Sequence, residues 1–211
     1  MKRPALLAGV LAAAIAATFV ITGVSLIPLS LALGPCLKDW TSPVSYRPRM
    51  SPLGSLRFGV SDAELSLCYG RPSRRDRPVF GGLVPCGSLW RLGANEPTHL
   101  SVTRDITLAG APLRAGRYSL CALPRPDSWT VYVSRSTLHW GNDISPEVRS
   151  QEVGQVVVPP ERLPEPVETL TVRVEDHGSS DQAELVFEWE RTRIALNVAR
   201  GGAPSNLGVR P

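Results

Sequence analysis

The chain is poor in the residues from which metal and nucleophilic sites are assembled. Its 211 residues hold three histidines, His99, His139 and His177, and none stands in an HxH or HExxH spacing. Such spacing is what puts two imidazoles on one face of an element, so neither a metal site nor a cofactor is expected. The four cysteines, Cys36, Cys68, Cys86 and Cys121, lie too far apart for any CxxC zinc or redox motif. An even number outside the cytoplasm permits disulfides, and spacing leaves the pairing open. Cys36, beside the apolar N-terminal segment, is expected to be the odd one out. No GxSxG elbow serves Ser/His/Asp catalysis, and Glu96 has no second carboxylate identifiable across a cleft. Cys86 with His99 makes a thiol–imidazole pair in principle, though a disulfide or a buried thiol is the stronger expectation. Lysine is nearly missing, since 21 of the 23 basic residues are arginine, and the net charge is only +4. A modest charge without a basic face and aromatic platforms excludes nucleic acid as a partner.

Against these absences stands one long presence. After Met1-Lys2-Arg3, no charged side chain occurs from Pro4 to Leu37. A secretory signal core runs to about 7–15 apolar residues, whereas crossing about 30 Å of hydrocarbon takes about 20. Ala5 to Ile27 supplies 23 residues before Pro28 removes a backbone donor. A retained transmembrane helix, a signal-anchor, is therefore expected over residues 1–33, with Trp40 at the interface. The near-lipobox Leu33-Gly34-Pro35-Cys36 offers cleavage and lipidation at Cys36 as an alternative, disfavoured by Pro35 and by the overlong apolar run. Gly9, Ala13 and Ala17 fall on one row with Ala5, a small-residue stripe that lets helices approach closely in lipid. Membrane lipids and integral membrane protein subunits are the partners this stripe implies. A short cationic N-terminus before the first hydrophobic segment places the N-terminus in the cytoplasm and the following domain in the periplasm, at the inner membrane.

Residues 34–50 read as an extended Pro-containing linker, 51–198 as one domain, and 199–211 as a Gly/Pro-rich tail, flexible or partner-bound. Within the domain, short runs of period-two patterning alternate with turn residues. Ser55 to Val60 and Ala63 to Tyr69 flank Ser61-Asp62 as a hairpin. His99 to Arg104, Ile106 to Leu108, Gly116 to Leu123 and Trp129 to Arg135 follow, then Val153 to Val158, Glu168 to Glu175, Ala183 to Trp189 and Thr192 to Val198. Many short strands without a convincing amphipathic helix predict an all-β, antiparallel sandwich or jelly-roll-like domain.

The densest stretch is Phe80 to Glu96, FGGLVPCGSLWRLGANE. Its glycines permit turns closed to other residues, while Phe80, Leu83, Leu89 and Trp90 offer apolar surface, as suits a crossing loop that plugs one end of a sandwich. This stretch resembles the signature FGGLVPYG-x-x-WR-x-GANE of an uncharacterised bacterial family of exported domains, a numbered domain of unknown function. The likeness extends through AGRYSLCALP (Ala115 to Pro124), WTVYVSR (Trp129 to Arg135), Trp140-Gly141 and FEWERTRIAL (Phe187 to Leu196). The resemblance implies a β-sandwich-like exported domain and carries no established activity. Cys86 and Cys121 stand where the family has an aromatic and a bulky apolar residue, and this paired replacement implies a disulfide between them. Leu92 replaces a small polar residue.

Arg91, Asn95 and Glu96, with His99 nearby, form the best polar cluster for holding a ligand. The competing expectation, preferred here, is an Arg91–Glu96 salt bridge with Asn95 shaping a turn. The run Arg71, Arg74, Arg75 and Arg77 is a solvated loop or a contact for anionic headgroups and acidic partner surfaces. The chain is thus expected to be a membrane-anchored periplasmic accessory subunit of a larger membrane complex, for example respiratory or photosynthetic. The alternative is a periplasmic enzyme or small-ligand binder built on Arg91, Asn95 and Glu96.

Overall fold

The computed structural model describes residues 50–139, 144–176, 178 and 180–201. The expected anchor with Gly9, Ala13 and Ala17, the linker with Cys36, and the tail from residue 202 lie outside the described residues. No helix among the described residues is long and apolar enough to cross a membrane.

Ten strands pack as two antiparallel sheets: β1 (Leu53–Val60), β2 (Ala63–Gly70), β3 (Thr98–Val102), β4 (Ile106–Leu108), β5 (Ala111–Leu113), β6 (Gly116–Pro124), β7 (Trp129–Ser134), β8 (Glu152–Val158), β9 (Glu161–Glu175) and β10 (Gln182–Arg200). One sheet has the order β1-β2-β3-β6-β7-β8 and the other β5-β4-β10-β9. The sandwich expectation holds. Sheets of six and four strands, built mainly from sequence neighbours, depart from the eight-stranded double Greek key of a jelly roll.

Strand period dictates the layering. In β2, Leu65, Leu67 and Tyr69 join the core between the sheets while Glu64, Ser66 and Cys68 take the outer face. The same alternation puts Leu120 and Ala122 of β6 inward and Ser119 and Cys121 outward. All six residues of β7 are nevertheless buried. Its outer face is covered by the segment after it, where α1 (Pro146–Arg149) places the Val148 carbonyl 3.1 Å from the donating Ser134 hydroxyl. The Arg149 guanidinium lies 5.0 Å above the Tyr132 ring.

The two expected strands Ala183 to Trp189 and Thr192 to Val198 are one strand with a bulge. Register shifts bracket Glu190, which has φ 53. Leu185, Phe187 and Trp189 face the core before it, and Ile194, Leu196 and Val198 after it. One extra residue converts odd-numbered to even-numbered inward positions, which is what keeps both halves of β10 amphipathic in the same sense. On β9 the bulge is wider, with Val167 opposite Glu190 and Arg162 opposite Thr192. The intervening Leu163 and Pro164 present their carbonyls to the donating Arg191 guanidinium. Two prolines in this segment are tolerated because β9 is an edge strand. The sheet's outer face is tied by Arg193, which reaches Glu161 at 2.8 Å, Glu175 at 2.9 Å and Glu184 at 3.2 Å.

The cysteine expectations need correction. Cys86 and Cys121 are both free thiols and do not bond each other. Cys121 points to the covered outer face of β6, whereas Cys86 sits exposed in the loop before β3. Among the described cysteines, Cys68 is disulfide-bonded. Burial, aided by the Glu152 charge, pushes the Cys121 thiol up to about 12. In the native full chain a maleimide should label Cys86 quickly and Cys121 only after denaturation. Fast labelling of both, or of neither, would contradict this placement.

Candidate functional site

The loop from Arg71 to Pro97 joins β2 to β3 and closes one end of the sandwich by adding itself to both sheets. Trp90 and Ala122 exchange backbone hydrogen bonds of 2.8 and 2.7 Å, and Gly87 N–H donates to Pro124 at 2.8 Å, which fixes the loop on β6. On the other sheet, Arg74 N–H donates to Glu168 at 2.9 Å, Leu170 N–H donates to Pro72 at 2.9 Å, and the Ser73 and Thr169 hydroxyls meet at 2.8 Å. Beneath it, the Tyr69 hydroxyl accepts from Val172 N–H at 2.8 Å.

Four aromatic rings brace this end from within. Phe80 stands edge-on to Trp129 at 4.8 Å, to Trp90 at 6.1 Å and to Trp189 at 6.2 Å, while Trp90 and Trp189 stack at 5.8 Å. Such contacts contribute about 0.5–1.5 kcal/mol each beyond area burial. The Trp90 indole N–H donates to Gly93 at 2.9 Å, and the Thr98 hydroxyl donates to Leu92 at 2.8 Å. Glycine is required at Gly70, where a Cβ would lie 2.0 Å from the Ala94 carbonyl oxygen. Leu83, expected inside, is 39% exposed, and Leu92 is the fully buried residue of the motif. The turn that Leu92 occupies at φ 56 swings its side chain into the core.

Arg91, with Trp90 and Trp189, lines a cavity of about 220 Å³. Burial lowers the Arg91 pKa, and the neighbouring Glu96 carboxylate works the other way. Asn95 takes a left-handed conformation at φ 64, and its amide nitrogen reaches the Ser51 carbonyl at 3.5 Å.

His99 does not join them. It faces the outer side of β3, with Cys68 and Ser119 as cross-strand neighbours, and is 7% exposed. Its Nε2 has no hydrogen-bond partner among the described residues. The arginine run also divides. Arg71 donates to the Leu170 carbonyl, Arg75 to that of Met50, and Arg77 to those of Arg74 and Ser73. Among the described residues, the buried Nε of Arg74 has no hydrogen-bond partner. No group of three or more His, Cys, Asp or Glu side chains disposed to hold a metal occurs among the described residues. Glu190 was not singled out by the sequence, yet its carboxylate accepts from Val79 N–H at 3.3 Å and so ties the loop to the bulge. The two-residue gap between the patterns of Ala183 to Trp189 and Thr192 to Val198 was the available signal.

Residues 51–198 match a family model described as a protein of unknown function, DUF2911. No curated protein and no solved structure matches the chain.

Burial, then the nearby His139 and Arg117 charges, lowers the His99 pKa from 6.5 to about 4. A folded pKa below the unfolded one means that the unfolded chain binds the proton first as pH falls. Stability from His99 is therefore full above about 6.5 and declines down to about 4, by about 3 kcal/mol in all. Denaturant melts between these pH values should show that decline in the wild type and a flatter curve in His99→Gln.

Proposed function

We propose, taking as premise that the chain belongs to the DUF2911 family of proteins of unknown function, that it is a membrane-anchored periplasmic binding subunit of a larger membrane protein complex and has no enzymatic role. The observation that carries this reading is the use of Arg91, Asn95 and Glu96 within the loop itself. Glu96 offsets the buried Arg91 charge and Asn95 shapes the turn, so the polar groups first in line for chemistry serve architecture. Rigid display of a loop on a sandwich end is the usual arrangement of a recognition module.

Two features supply contact surface. Edge strand β8 exposes Val153 at 41% and Val157 at 65%, and edge strands with exposed apolar side chains favour pairing with another chain. Arg75 and Arg77 are exposed beside Met50, where the linker from the expected anchor reaches the domain. The small-residue row Gly9, Ala13 and Ala17 is the matching intramembrane contact, through which the host complex holds the helix. The alternative, an enzyme or ligand binder built on Arg91, Asn95, Glu96 and His99, is weakened by the placement of His99 on the outer face of β3.

Mild detergent extraction of the full chain from its native membrane is the test. The chain should sediment with integral membrane subunits, and a Gly9→Leu/Ala13→Leu variant should be released from them. A monodisperse monomer on extraction would overturn the proposal.

A further inference from the structure

A cavity of about 610 Å³ opens where the β9–β10 ladder is interrupted. That is the size range of pockets for small organic ligands. Its charged groups are Arg74, Glu161, Arg162, Glu190 and Arg191, Phe80 supplies an aromatic wall, and three prolines and Thr192 complete the lining. These charges differ in what they already hold. Glu161 is bound to Arg193 at 2.8 Å, Glu190 accepts from Val79 N–H, and Arg191 donates to the Leu163 and Pro164 carbonyls. Arg74 and Arg162 hold nothing among the described residues, and the Nε of Arg74 is a buried donor with no hydrogen-bond partner.

A buried guanidinium donor without a protein partner is costly unless a water, an ion or a ligand satisfies it. The surroundings show which. Three guanidinium groups, Arg74, Arg162 and Arg191, against two carboxylates, Glu161 and Glu190, leave a positive site, and guanidinium matches carboxylate and phosphate oxygens in its fork geometry. Phe80 gives a ring edge or face for an apolar body, itself held by Trp129 and Trp189. A bulge with a left-handed Glu190 opens the site, and such irregularities gather at binding sites.

We propose that this groove binds a small organic anion, a phosphate or carboxylate carried on a planar apolar body, with Arg74 and Arg162 meeting the charge and Phe80 the ring. The site stands independently of whether the domain works within a membrane complex.

Calorimetric titration of the purified full chain with phenyl phosphate and with benzoate tests it, the two probes separating the two head groups. At least one should bind saturably at a single site, more tightly than inorganic phosphate, while benzyl alcohol gives no saturable heat. Arg74→Gln and Arg162→Gln should each weaken that binding about tenfold. Arg74→Lys, which keeps the charge, should recover part of it, and Arg104→Gln, remote from the groove, should leave it unchanged. Thermal unfolding of each variant shows whether it folds. Absence of saturable binding by both probes, binding undiminished in folded Arg74→Gln and Arg162→Gln, or equal weakening by Arg104→Gln would overturn the proposal.

Discussion

One extra residue in β10 organises this domain. At Glu190 the strand gains a position, so Trp189 and Ile194 both face inward although their numbers differ in parity. A regular ladder would carry the second half's Ile194, Leu196 and Val198 to the outer face and leave the sandwich without its floor. The irregularity has a local cost, since a glutamate at φ 53 is disfavoured by about 1–3 kcal/mol. It is held in place from both sides, by the Arg173–Glu188 ion pair at 2.7 Å before it and the Arg193–Glu161 pair at 2.8 Å after it. Single exposed ion pairs contribute little, but Arg193 is shielded and shared among three carboxylates, which raises its value as a clamp.

The bulge connects architecture to the functional end. Its carboxylate accepts from Val79 N–H, at the start of the crossing loop, and its neighbour Trp189 stacks on Trp90 in the middle of that loop. Arg191 satisfies the carbonyls that the widened β9 leaves unpaired. The loop, the aromatic cluster and the open ladder therefore form one mechanical unit rather than three features. Arg91, Asn95 and Glu96 lie in the middle of it, and Arg74 and Arg162 at the open ladder.

Much of the sandwich was legible from alternation alone. The β1–β2 hairpin about Ser61-Asp62 and strand β4 follow directly from period-two patterning and turn residues. Strand β5 was missed because three residues including Pro112 carry too little pattern. The first half of β9 was missed because Pro164 and Pro166 argue against a strand, and only its edge position makes them acceptable. At the site, His99 lies three residues from Glu96, and strand alternation turns its side chain to the outer face of β3 beside Cys68 and Ser119. Four neighbouring arginines looked equivalent in sequence. Tertiary partners, invisible there, distinguish them: among the described residues Arg71, Arg75 and Arg77 donate to backbone carbonyls, and the Arg74 Nε has no partner. The paired replacement of bulky residues by Cys86 and Cys121 resembled a disulfide, yet one side chain is exposed in a loop and the other buried on β6, both as free thiols.

The most direct test of the bulge's role is amide hydrogen exchange on the wild type and on Glu190→Ala. If the Glu190 carboxylate organises the functional end, exchange should quicken from Pro78 to Ala94 while β4, β6 and both halves of β10 keep their protection. Unchanged exchange across that loop, or a uniform loss of protection throughout the sandwich, would contradict it.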